Sequence, residues 1–162
     1  GSSRYYITHK ENKEIFINKK NIDKALNYEK KFKLDKIDTF LIFEKKIQKI
    51  KKNCNTKIEA ILNLKQTIHG YGASTKGNVI LQYFNIDNKQ IKFISDRNPF
   101  KNNRYTPGTK IKIISEKKSR SLKPNYYFVL PWHFKKEILI REIKIRKKNT
   151  KFIFPLPKFS II

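Results

Sequence analysis

Along the first third of the chain apolar residues recur at three- and four-residue steps. Beyond residue 58 they gather into short runs between polar turns. Residues 4–8, Arg-Tyr-Tyr-Ile-Thr, predict a short strand. Residues 12–22 are polar around an apolar knot of Ile15, Phe16 and Ile17. From 21 to 54 the pattern is helical. Asn21 and Asp23 stand as N-caps before Leu26, Phe32 and Leu34, and Asp38 stands as a second cap. After it, Phe40, Leu41, Phe43, Ile47 and Ile50 mark one helix face, with lysines filling the other as a solvated surface. No Pro or Gly occurs from Ser2 through Ile68, so the helical stretch leads on without a flexible linker.

The second region alternates strand and helix. Residues 58–62 end a helix or lead into a strand, 65–69 form a strand, 70–77 a glycine-rich turn and 78–84 a helix. Strands are expected at 91–95, 111–114, 126–130 and 151–154, the last closed by Pro155 and Pro157. Residues 97–109 form a polar loop, Ser115 caps a short helix, 131–134 form a loop, and 135–145 form a helix with Ile138, Ile140 and Ile145 on its apolar face. Alternation with apolar strands predicts an α/β fold, a Rossmann-like parallel sheet with helices on both faces, preceded by a helical N-terminal arm. The expected division is a strand and helical arm at 1–57 and the α/β domain at 58–162.

Composition adjusts this picture in three places. The 162 residues are 38% hydrophobic and 13% aromatic, enough to bury a core within one domain. The single cysteine, Cys54, excludes a disulfide framework and a cysteine-based zinc site, and it fits a reducing compartment. It lies in the polar run Lys-Lys-Asn-Cys-Asn-Thr-Lys and has no base beside it, so it reads as a bystander. The chain opens with no apolar signal region and holds no run long enough to span a membrane, which points to a cytoplasmic protein without a membrane partner.

The net charge of +25 would ordinarily suggest nucleic acid. Only six of the 38 basic residues are arginine, however, and the lysines are spread evenly among Ile and Asn residues. Readers of phosphates and base edges favour the arginine fork, so compositional drift explains the charge better than a polyanion partner does. A small anion such as a nucleotide diphosphate remains compatible with it.

The glycine-rich turn is the most informative segment. Gly70 permits a tight turn and Gly72 a close backbone approach. The following helix N-terminus would offer free amides to an anion, helped by Ser74, Thr75 and Lys76. Asp96 ends the next strand 24 residues after Gly72, near the spacing of a ribose-binding acid. The dinucleotide fingerprint is incomplete, because Thr75 occupies the place of its third glycine and Gly77 comes two residues later. Spacing alone leaves nucleotide binding and a structural turn equally open.

Five segments are met in order: Ile-His-Gly-Tyr-Gly-Ala-Ser-Thr-Lys-Gly-Asn at 68–78, Ser-Asp-Arg-Asn-Pro at 95–99, Arg-Tyr-Thr-Pro-Gly-Thr at 104–109, Val-Leu-Pro-Trp-His-Phe at 129–134 and Phe-Ile-Phe-Pro-Leu-Pro at 152–157. In order and spacing they resemble the C-terminal domain of S-adenosylmethionine-dependent sugar C-methyltransferases, including enzymes acting on TDP-linked keto-deoxysugars. The opening Gly-Ser-Ser-Arg-Tyr is similar to that family's linking strand. The resemblance implies a domain facing a nucleotide-diphosphate sugar. Full-length members add a cysteine-bearing zinc domain and a central S-adenosylmethionine domain, neither of which is expected here. The family's catalytic base lies in the central region, so no catalytic residue carries over and the chain is not expected to be active alone. No cofactor is expected in this chain, although S-adenosylmethionine is implied for the whole enzyme.

The candidate ligand-binding residues are Gly70, Tyr71, Gly72, Ala73, Ser74, Thr75, Lys76, Asn78, Asp96, Arg104, Trp132 and His133. His133 follows an apolar strand at the edge where α/β sheets bind ligands, where it would either meet a sugar or cap the next helix. Trp132 would stack on a ring or pack in the core. Asp96 would accept a hydroxyl or pair with Arg97, and Arg104 would close over a ligand or fix its own loop. His69 reads as a packed histidine and His9 as a solvated one, and the scatter of the three histidines argues against a metal site. The rival functions are a non-catalytic assembly module, docked by the helical arm on a separate or upstream methyltransferase domain, and a polyanion binder. A dinucleotide oxidoreductase is disfavoured, because no proton-relay residues accompany the turn.

Overall fold

The computed structural model describes residues 4–12, 14, 18–147 and 149–162. The apolar knot at 15–17 and the opening Gly-Ser-Ser lie outside them. The chain forms two compact units, Gly1–Lys45 and Lys46–Ile162.

In the first unit the strand expected at 4–8 does not form, since these residues take no ladder partner there and residues 4–7 are exposed. The helical stretch is broken in two. α1 (Lys19–Lys31) is capped by Asn18, whose side chain accepts the Asn21 amide at 3.1 Å, in place of the expected Asn21 or Asp23. It ends where Lys33 turns left-handed at φ 52°. α2 (Ile37–Asn63) then begins, with Asp38 inside its first turn, where a carboxylate favours the helix dipole. The apolar residues of α1 stay exposed, Ile22 at 50% and Leu26 at 48%.

In the second unit α2 turns Ile47, Ile50, Cys54, Ile58 and Ile61 into the core at helical spacing. Cys54 is fully buried despite its polar neighbours in sequence. Burial pushes its thiol up to about 12, which keeps it an inert packing group.

The six strands are β1 (Ile68–Tyr71), β2 (Phe93–Asp96), β3 (Lys112–Ser115), β4 (Tyr126–Val129), β5 (Lys151–Phe154) and β6 (Ser160–Ile161), in the order β3-β2-β1-β4-β5-β6. All neighbours run parallel except β6, an antiparallel edge strand absent from the sequence expectation. β1 starts later than expected and takes in Gly70 and Tyr71. The reason is that α2 runs to Asn63 and the chain then reverses at Lys65, which sits at φ 59°.

Period-two alternation sorts the two faces. Ile68, Ile94, Phe128 and Ile153 meet α2 and α3 (Thr75–Phe84) on one side. Tyr71, Tyr127, Phe152 and Phe154 form a cluster with Ile138 on the other. α4 (Glu116–Ser121), α5 (Lys135–Arg141) and α6 (Ile143–Arg146) lie between β3 and β5 in sequence, the last two replacing the single helix expected at 135–145. The break falls at Glu142, which is buried at 2% exposure and held by charge partners rather than by helix continuation. Among the described residues no helix is long and apolar enough to cross a membrane.

Candidate functional site

The chain leaves β1 by α3 on one face and reaches β4 by α4, so the strand order reverses between β1 and β4. Beyond the carboxyl ends of strands at such a reversal the diverging loops leave a crevice. A cavity of about 450 Å³ occupies it, with Tyr71, Gly72, Ala73, Ser74 and Asp96 in its wall. Arg97 and Lys101 come from the segment after β2, Glu116 from α4, Pro131 and Phe134 from the segment after β4, and Glu137, Ile138 and Arg141 from α5.

The glycine turn is built tightly. Gly72 adopts φ +75°, and a side chain there would come within 3.0 Å of Pro131. Its amide donates to Ser95 O at 2.7 Å, and the Ser74 amide donates to Gly72 O at 2.8 Å. Ser74 caps α3 by accepting the Gly77 amide at 3.1 Å. Asp96 acts as a staple. Oδ2 accepts the Ala73 amide at 2.7 Å and Lys101 Nζ at 3.4 Å, and Oδ1 accepts the Asn98 amide at 2.8 Å. Lys101 Nζ also donates to Ala73 O at 2.8 Å. The partner of Asp96 is therefore Lys101 rather than Arg97. The amides of Gly72 and Ala73 are spent on holding the turn to β2, and that of Ser74 on the turn itself. Of the amides that open α3, where the anion cradle was expected, those of Thr75 and Lys76 keep no partner among the described residues.

The opposite wall is a charge cluster around Glu142. Its Oε1 accepts the Tyr71 hydroxyl at 2.8 Å, and its two oxygens accept Arg120 Nη2 at 2.9 and 3.1 Å. Arg141 Nε lies 3.3 Å from Oε1, and Arg141 also donates to Glu116 Oε2. Burial and the carboxylate beside it hold the Tyr71 phenol above its ordinary range, so this hydroxyl remains a donor.

Of the residues singled out by sequence, the structure brings Tyr71, Gly72, Ala73, Ser74 and Asp96 together at the cavity. The others lie elsewhere. Gly70 is a close-packed strand residue, and a Cβ there would stand 2.6 Å from Ile94 Cγ1. Thr75 and Lys76 are exposed in the first turn of α3, and Asn78 follows with its Oδ1 buried and unpartnered among the described residues. Arg104 is exposed, and its carbonyl accepts the Ile113 amide at 2.8 Å. Trp132 packs against both core clusters, and His133 is exposed beside it. The family resemblance had pointed to the loop 131–134, from which Pro131 and Phe134 line the wall; sequence reasoning missed Lys101, Glu116, Glu137 and Arg141, and weighed Arg97 only as a partner of Asp96. Tertiary folding alone gathers most of them, and only Arg97, next to Asp96, had a local signal.

Below the cavity a second buried polar chain crosses the same sheet face. His69 Nδ1 and Ser119 Oγ are 2.9 Å apart, and Ser119 Oγ and the Tyr127 hydroxyl are also 2.9 Å apart. Burial, and secondarily Lys92, lowers His69 from 6.5 to about 4. The unfolded chain therefore binds a proton that the folded chain refuses between these values. Stability should be full above about pH 6.5, fall as pH drops toward 4, and level off below that. A His69→Gln chain should lose most of this slope. Urea midpoints measured from pH 7.5 to 4 check it, and an unchanged slope in the variant would refute the assignment.

A doubly covered, mostly parallel sheet with a glycine turn and a cavity at its reversal point defines a Rossmann-like domain. The chain belongs to the C-methyltransferase C-terminal domain family, whose model matches residues 1–157. It is 33% identical over 97 residues to the C-methyltransferase NovU of Streptomyces niveus, an alignment covering 60% of this chain and 23% of that protein. The chain thus spans about a quarter of the length of this relative.

Proposed function

We propose that this domain closes one side of a nucleotide-sugar site in an S-adenosylmethionine-dependent C-methyltransferase. The observation that carries the reading is the cavity at the strand reversal. Its volume of about 450 Å³ suits part of such a ligand. Arg97 reaches it with no carboxylate partner among the described residues, and Glu137 is likewise unpaired. A diphosphate would take the free guanidinium, and sugar hydroxyls would donate to Glu137. Because the turn's own amides are committed, the phosphate charge would fall to Arg97 and to the amides that open α3.

S-adenosylmethionine supplies the methyl group in such an enzyme, but the turn does not fit it. The acid placed for ribose hydroxyls, Asp96, already holds two amides and Lys101. The donor would therefore be held by another domain, and this chain alone would transfer no methyl group.

Calorimetry at fixed ionic strength tests both halves. Thymidine diphosphate should bind, and Arg97→Ala should weaken it about fivefold, near the value of one partly solvated charge contact. S-adenosylmethionine should give no saturable heat. Equal affinity of the Arg97 variant, or micromolar binding of S-adenosylmethionine, would reject the reading.

A further inference from the structure

A second cavity, of about 320 Å³, opens at the opposite end of the sheet, where β4 and β5 begin. Arg120, Lys123 and Lys144 stand in its wall, and Pro124, Tyr127 and Ile145 give it apolar surface. No carboxylate belongs to that wall, in contrast to the first cavity, where Asp96, Glu116 and Glu137 sit among the cations. Among the described residues the only carboxylates bonded to Arg120 are Glu142 and Glu116, and both reach it through Nη2. Its Nη1 and Nε have no protein partner among the described residues, and neither Lys123 nor Lys144 has an ion-pair partner there. Arg120 is balanced by Glu142 and Glu116, but Lys123 and Lys144 share its wall without a counter-charge, and a dianion between them would remove their repulsion. Two neighbouring acceptors and donors are already used: Asn125 Oδ1 accepts the Thr67 amide at 2.8 Å, and Thr150 Oγ1 donates to Pro124 O at 3.1 Å. The free capacity of the site is thus cationic and apolar, with the side-chain amide of Asn149 beside it.

The geometry points to a second ligand site here, one that takes a small phosphomonoester with an apolar body. The phosphate meets Lys123, Lys144 and the free edge of Arg120, and the apolar part lies on Pro124, Tyr127 and Ile145. The chain's overall positive charge makes unselective anion binding the rival explanation.

The test is an amide NMR titration of the whole chain with phenyl phosphate at constant ionic strength, repeated with inorganic phosphate. Phenyl phosphate should shift the amides of residues 123, 125–127, 144–145 and 149–150 saturably, and should bind several-fold more tightly than inorganic phosphate. Lys123→Ala with Lys144→Ala, both at exposed positions, should weaken it at least fivefold. Shifts scattered over lysines along the chain without saturation would overturn the site. So would equal affinity for the two probes, or no effect of the double substitution.

Discussion

A Gly77→Ala chain should unfold about 2 kcal/mol more easily than the parent, although alanine is the better helix former. In an exposed helix that exchange gains up to ~1 kcal/mol. Gly77, however, is buried in the first turn of α3, where an added Cβ would stand 2.3 Å from Leu130 Cβ and 2.9 Å from Ser74 Oγ. Leu130 has little room to retreat. It is 1% exposed, and its amide donates to Tyr71 O at 3.1 Å at the end of β1. Overpacking of this kind costs ~1–3 kcal/mol or more, enough to reverse the propensity gain. Gly77 thus does the helix–sheet packing expected of the fingerprint's third glycine, from a position two residues late. Urea denaturation gives the sign directly. A variant as stable as the parent would mean that α3 can shift away from β4, and the turn would then not be fixed by this packing.

How far the sequence shows this site depends on how local its parts are. The strands at 111–114, 126–130 and 151–154 were legible because their apolar runs lie within a few residues of their observed bounds. The glycine turn was legible for the same reason, and the family likeness joined the segments into one sheet. β1 was misplaced by a left-handed residue, Lys65, that carries no sequence signal, since lysine is not a usual left-handed residue. The start of the second helix was legible from Asp38, but the end of the first was not, because the break at Lys33 contains neither Gly nor Pro. Asp96 was found by spacing, yet its use was not. Whether a carboxylate faces a ligand or holds a loop depends on which amides it meets, and the Ala73 amide comes from 23 residues away. The cluster on the opposite wall is least legible of all, for Tyr71 and Glu142 are 71 residues apart and Arg120 and Glu142 are 22 apart. Nothing in either neighbourhood distinguishes these arginines from the lysines around them.

That cluster carries the other large expected effect. Glu142→Ala should lower stability by about 3 kcal/mol. The carboxylate is 2% exposed and takes the Tyr71 hydroxyl, Arg120 and Arg141 together, so its loss strands one phenol and leaves two cations sharing Glu116. Breaking a buried pair from one side costs ~3–5 kcal/mol when the remaining charge is sealed in. Here Arg120 and Arg141 keep side-chain exposures of 42% and 35% and can turn toward water, which sets the expectation at the low end. Glu142→Gln retains the shape and one acceptor oxygen and should cost less, about 1–2 kcal/mol. The ordering Ala worse than Gln worse than parent, read from urea midpoints at pH 7, separates a charge-holding role from simple filling of space, which the two variants would treat almost alike. The same loss should reach the first cavity. Arg141 and Tyr71 both line it, and only Glu142 and Glu116 fix the direction of that guanidinium. A chain in which Glu142 could be removed for less than ~0.5 kcal/mol would have a wall held by packing alone, and its arginines would then be free to follow a ligand rather than be placed for one.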